Sequence, residues 1–209
     1  MKFVYFFSAI LIFSVNAVTA QLGFGPEVGL NGSKDMVRTA GVDKHAKTRF
    51  GMRIGGLADI ALTDNLYLQP GLYYVSNGYK TNFNGGHDEY GINTVEIPIN
   101  VVYKIGTPGN NRFFVGAGLF VAYNKDGYYH IFSPLFVDSK SDLRIGGGAT
   151  DEIKHFDAGI GINAGYHVTE GLFFRVRSQM GIVNMSPQAS SENSIKSFSF
   201  GVTVGYIFY

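Results

Sequence analysis

The side chains best suited to hold a metal or move a proton are five histidines, His45, His87, His130, His155 and His167. No two of them share the i,i+4 spacing that puts ligands on one helical face. The chain has no cysteine, so it has no disulfide framework and no thiolate metal site. Gly159-Ile160-Gly161-Ile162-Asn163-Ala164 resembles a dinucleotide fingerprint, but that motif must follow a strand and open a helix. These residues instead continue a two-residue alternation to Val168. Gly146-Gly147-Gly148 lacks the Lys and Ser/Thr of a phosphate loop, and Asn124-Lys125-Asp126-Gly127 is too short for a calcium loop. Ser178, a hydroxyl on an apolar register, has no histidine on a neighbouring apolar register to activate it. The expectation is a chain without catalysis, cofactor or metal.

The remaining polar chemistry is charge placed at alternate positions. Glu27, Arg53, Asp59, Glu96, Lys104, Asp157, Arg175 and Arg177 all lie on the small or polar side of alternating segments, and their charges cancel. A balanced set of this kind serves as an interior pairing network or as the lining of a path; the network is the expectation, since eight strands enclose only enough room for side chains. Sequence neighbourhood suggests pairing of Arg175 and Arg177 with the strand of Asp157, and of Arg53 with that of Glu27.

A second group, Lys34, Arg38, Lys44, Lys47 and Arg49 against Asp35 and Asp43, gives residues 33–49 a net charge of +3. It is a candidate contact for lipopolysaccharide phosphates. The connection 124–154 carries the apolar stretch Tyr128 to Val137, which suits a strand pair extended beyond a membrane or a patch for a surface partner.

The elements that position these residues follow from the same alternation. In eight segments, residues 22–30, 50–62, 66–74, 95–105, 113–123, 156–168, 172–182 and 198–208, every second residue is apolar and none of those positions is charged. The intervening positions are rich in glycine. A soluble sandwich would put Lys, Thr and Ser on its polar face, whereas a membrane barrel faces lipid with its apolar side. Short links (63–65, 106–112, 169–171) alternate with long ones (32–49, 76–90, 124–154, 185–196), as periplasmic turns alternate with external loops. Outward aromatics gather at two levels, with Phe24, Tyr103, Phe113, Tyr166, Phe174, Tyr206 and Phe208 at one rim and Phe50, Tyr74, Tyr123, Phe156 and Phe198 at the other. Pro26, Pro70 and Pro98 fall inside these segments and should interrupt the ladder, because proline has no amide proton.

Composition agrees. The 209 residues are 45% hydrophobic and 16% charged with a net charge of +1, and they include 28 Gly, 18 Phe and 13 Tyr. Near-neutrality excludes a nucleic-acid partner held by phosphate contacts. Lys2, the apolar run Phe3 to Phe13 and Val18-Thr19-Ala20 form a signal-peptide layout. The predicted domains are a signal peptide at 1–20 and a barrel at 21–209, exported through the Sec pathway to the cell outer membrane.

Several short motifs, Gly25-Pro26-Glu27-Val28-Gly29-Leu30-Asn31, Val95-Glu96-Ile97-Pro98-Ile99, Val115-Gly116-Ala117-Gly118, Phe156-Asp157-Ala158-Gly159 and Gly181-Ile182-Val183-Asn184, occur in the order found in a known family. The chain resembles the porin-like outer-membrane β-barrel domain family of Bacteroidetes, which includes PorT-related and OmpX/OmpA-barrel-like proteins. The resemblance implies an all-β, eight-stranded antiparallel transmembrane β-barrel and no general activity. Such barrels resemble one another in a C-terminal aromatic read by the outer-membrane assembly machinery, a signal that Tyr206-Ile207-Phe208 would carry better than Tyr209. The leading expectation is a structural or surface-interaction role through four long external loops. The alternatives are a narrow passive pore and a lipid-A-modifying enzyme.

Overall fold

Alternating apolar and small residues leave a chain no way to satisfy its backbone in lipid except by pairing strands into a closed ring. The computed structural model describes residues 22–44, 46–83, 86–106, 111–133, 137–148, 150–169, 171–190 and 192–209. The expected signal peptide, residues 1–20, lies outside them. The strands are β1 (Leu22–Thr39), β2 (Val42–Lys44), β3 (Lys47–Ala61), β4 (Leu66–Phe83), β5 (Gly86–Ile105), β6 (Arg112–Ser133), β7 (Val137–Asp142), β8 (Phe156–His167), β9 (Leu172–Gly181) and β10 (Ser194–Tyr206). Eight of them form an antiparallel ring in the order β1-β3-β4-β5-β6-β8-β9-β10, closed by β10 on β1 from Glu27 opposite Gly205 to Arg38 opposite Ser194. β2 folds back on the end of β1, and β7 on the end of β6.

All eight expected segments are strands, and their faces are as the alternation requires. Phe50, Leu119, Ile162 and Phe156 are each more than 60% exposed on the outside, whereas Arg53, Asp59 and Lys104 are at most 1% exposed within. Where the structure differs is in length. Most of the stretches expected as external loops at 32–49 and 76–90, and residues 124–133 of the one expected at 124–154, continue as paired strand, because neighbours already in register keep exchanging backbone hydrogen bonds beyond the membrane. Two bulges accompany this extension, between Thr48 and Arg53 on β3 and at Lys125 on β6, where consecutive Asn93 and Thr94 of β5 face Asp126 and Asn124. The second shifts the inward parity of β6, so that Asn124 and then Tyr129 face inward.

The prolines interrupt the ladder on one side each. Pro26 pairs with Gly56 while pairing to β10 lapses; Pro70 pairs with Ile99 while pairing to β3 lapses; Pro98 pairs with Phe120 while pairing to β4 lapses.

The interior is layered. Near the short turns, Leu57, Tyr67, Val102, Phe114, Phe173 and Ile207 make an apolar floor. Near the long connections, Ile92, Leu143, Ile153 and Met185 make a cap with Tyr90, Tyr129, Ile145 and Ile195 against it. The charges lie between. Glycines admit the large interior side chains: a Cβ on Gly165 would stand 2.3 Å from the Phe114 ring, and one on Gly205 2.4 Å from the Phe173 ring.

Candidate functional site

A strand interior displays every second side chain, and a ring of eight brings those from opposite walls within reach of one another. Glu27 of β1 is the centre of this arrangement. Its Oε2 accepts from Arg175 Nη1 at 3.0 Å and from the Tyr73 hydroxyl at 2.7 Å. Its Oε1 accepts from the Thr203 hydroxyl at 2.5 Å and from Arg177 Nη2. Arg175 Nη2 continues to Gln69 Oε1 at 2.7 Å, and Gln69 Nε2 to Asp59 Oδ1 at 2.7 Å. Asp59 Oδ2 is paired with Lys104 Nζ at 2.5 Å and accepts from the Tyr209 hydroxyl at 2.6 Å. Higher in the barrel, Arg53 Nη2 and Gln179 Nε2 donate to Glu96 Oε1 at 2.9 and 2.8 Å. Tyrosine faces support the cations, with Arg53 3.9 Å from the Tyr73 ring centre and Lys104 3.6 Å from that of Tyr67.

The structure therefore brings Glu27, Arg53, Asp59, Glu96, Lys104, Arg175 and Arg177 together, with partners other than those suggested by sequence neighbourhood. Arg175 and Arg177 share Glu27 across the lumen instead of reaching Asp157, and Arg53 turns to Glu96. Asp157 accepts from the Ser197 hydroxyl at 2.5 Å. Sequence reading missed Gln69, Tyr73, Gln179, Thr203 and Tyr209 as partners. Their inward parity was the available signal, but parity does not say who meets whom across a barrel. Tyr209 continues the alternation past outward Phe208 and puts its hydroxyl into the interior. Between these groups lie cavities of about 20 and 30 Å³, each enough for a water or two.

The second cluster stands above the outer rim. Arg49, counted from sequence among the basic residues of a loop, is 9% exposed. It crosses β4 against Gly78, whose positive φ of 136° and missing side chain leave room for its stem. It bonds the Ser76 hydroxyl, the Asn77 carbonyl, the Tyr128 hydroxyl and, at 2.9 Å, Glu89. Lys80 also pairs with Glu89, at 2.8 Å. Burial pushes the Glu89 carboxyl up, but hydrogen bonds from Lys80, Arg49 and Tyr128 outweigh it and hold the group at about 2. Lys140 lies 4.3 Å from the Tyr128 ring centre.

In register, Lys47, Lys80, Glu89, His130 and Lys140 make one row across β3, β4, β5, β6 and β7. On the opposite face Tyr79, Tyr90 and Tyr129 stack at 4.5 and 4.6 Å. Of the other basic candidates, Lys34 is exposed with Nζ 5.6 Å from the Phe198 ring centre, and Arg38 is exposed. The Lys44 side chain and residues 134–136 and 149 lie outside what is described. Asp35, counted with that loop, is turned inward and is 5% exposed.

A family model described as Outer membrane protein beta-barrel domain matches residues 16–187. No curated protein matches the chain. Among solved structures the chain is similar to Neisserial surface protein A, at 14% identity and a TM-score of 0.46 over 88% of this chain and 97% of that one. It is also similar to OprG of Pseudomonas aeruginosa, at 12% identity and a TM-score of 0.47 over 91% and 97%. A third is Ail of Yersinia pestis, at 9% identity and a TM-score of 0.43 over 89% and 98%.

Proposed function

Since the chain belongs to the outer membrane protein beta-barrel domain family, we propose that it serves as a non-catalytic surface barrel whose extended external sheet engages the phosphates of lipopolysaccharide. The observation that carries this reading is the row Lys47, Lys80, Glu89, His130 and Lys140, with one acid among its five members. Lys47 stands three residues beyond outward Phe50, about 10 Å along the strand from the membrane interface. That is where outer-leaflet headgroup phosphates begin. Lys34 and Arg38 extend the basic surface on β1. The stretch 124–154, which supplies β7 and Lys140, is the place for any further surface partner.

The same reading takes the chain as exported through the Sec pathway, with its C-terminal strand addressed to the outer-membrane assembly machinery. It includes kinship with PorT-related barrels of Bacteroidetes, on the strength of Glu96-Ile97-Pro98 in its strand context. The filled interior favours a structural role over a passive pore, and among the described residues no nucleophile with an activating base supports lipid-A modification.

The test is binding of the folded protein to vesicles with and without lipopolysaccharide. Each surface lysine near anionic lipid contributes about 1 kcal/mol, so Lys47→Glu, Lys80→Glu and Lys140→Glu together should weaken lipopolysaccharide-dependent binding at least tenfold. A heat-dependent gel shift checks that the variant still closes its barrel. Unchanged binding by a folded triple variant would overturn the reading.

A further inference from the structure

We infer that the upper barrel interior holds one divalent cation between Asp35 and Asp157, with calcium the best fit. Asp35 of β1 and Asp157 of β8 are 5% and 6% exposed. Asp35 Oδ2 and Asp157 Oδ1 are buried with no hydrogen-bond partner. Both residues line one cavity of about 30 Å³ together with Ser33, Thr94, Asn124 and Ser197. Among the described residues neither carboxylate has a basic partner. Glu96, which also lines the cavity, is already paired with Arg53.

Two buried carboxylates without counter-charge are unfavourable unless something neutralises them. A single shared proton would link the two free oxygens but would leave one negative charge buried without a counter-charge. A cation answers both needs. It meets the two free oxygens at once, and the neighbouring hydroxyl and amide oxygens can complete its shell. Hard oxygen donors in an irregular arrangement suit calcium, which accepts six to eight such ligands, better than magnesium with its strict octahedron and retained waters. Met185 of the external cap closes the cavity on another side, so the ion is taken up as that cap forms. This site is separate from the external basic row and stands whether or not that row binds lipopolysaccharide.

The experiment uses the full chain refolded in detergent with chelator and then titrated calorimetrically with calcium chloride, alongside thermal unfolding followed by the gel shift. One calcium per chain should bind and raise the unfolding temperature, and magnesium should bind at least tenfold more weakly. Asp35→Asn with Asp157→Asn should abolish that binding. Because the empty carboxylates repel each other, this double variant should also be more stable than the native protein in chelator and less stable in calcium. Should the double variant fail to fold, Ser197→Ala supplies the check, with calcium affinity reduced while the gel shift persists. Absence of calcium binding by the native protein, or binding undiminished in the folded variants, would overturn the inference.

Discussion

Glu27 accepts four hydrogen bonds from side chains on three other strands, so its replacement isolates two guanidinium groups at once. Glu27→Gln is expected to destabilise the barrel by about 3 to 5 kcal/mol, the usual consequence of removing one partner from a buried pair. Urea unfolding in lipid vesicles measures it. Glu89 allows a test by pH. Its carboxyl sits at about 2 in the folded protein against an ordinary 4.5. A depressed carboxylate contributes stability above its unfolded value and loses it as the pH falls through the folded one. The stability difference between the native protein and Glu89→Gln should therefore be full at pH 6 and shrink steadily from about pH 4.5 toward pH 2. A difference independent of pH would mean that Arg49 and Lys80 do not depend on that charge.

At the scale of the strand, alternation told most of the story inside the membrane. Every outward register from Leu22 to Phe208 could be read because lipid tolerates no charge on that face, and the lapses at Pro26, Pro70 and Pro98 followed from a missing amide proton. Beyond the rim the same rule failed. The bulge near Asn93 and Thr94 moves the inward side of β6 from even to odd positions, so Tyr129 and its neighbours read as a loop. Asp35 and Arg49 were read as loop charge because nothing in the local pattern said that the strand continued. Two substitutions test the faces directly. Ile160, 51% exposed in mid-strand, should cost about 2 to 4 kcal/mol when replaced by Arg in vesicles. Gly205→Ala should cost roughly 1 to 3 kcal/mol by overpacking, the Phe173 ring being what its new Cβ meets first, and the cost should fall in a Phe173→Leu background. No relief in that background would place the strain elsewhere.

At the scale of the molecule, an apolar floor, a charged middle and an apolar cap fill the ring from end to end. Planar bilayers containing the folded protein are expected to show no unitary conductance; steady openings abolished by Arg175 or Arg177 substitution would reinstate a path through the middle layer. The strands also continue well past the outer rim. β6 runs 22 residues, Arg112–Ser133, and its ten residues after Tyr123 rise about 33 Å along the strand. The external sheet is thus comparable in reach to the membrane-spanning wall beneath it.

That sheet ends at β7, for which β6 is the one partner strand among the described residues. An unpaired border of this sort invites a second chain to add itself, above all where barrels are crowded shoulder to shoulder. β7 is six residues long, and charged Lys140 and Asp142 stand two positions apart on it. A short border studded with charge is a poor template for zippering. The border of the external sheet is therefore built to discourage edge-to-edge pairing between neighbouring copies.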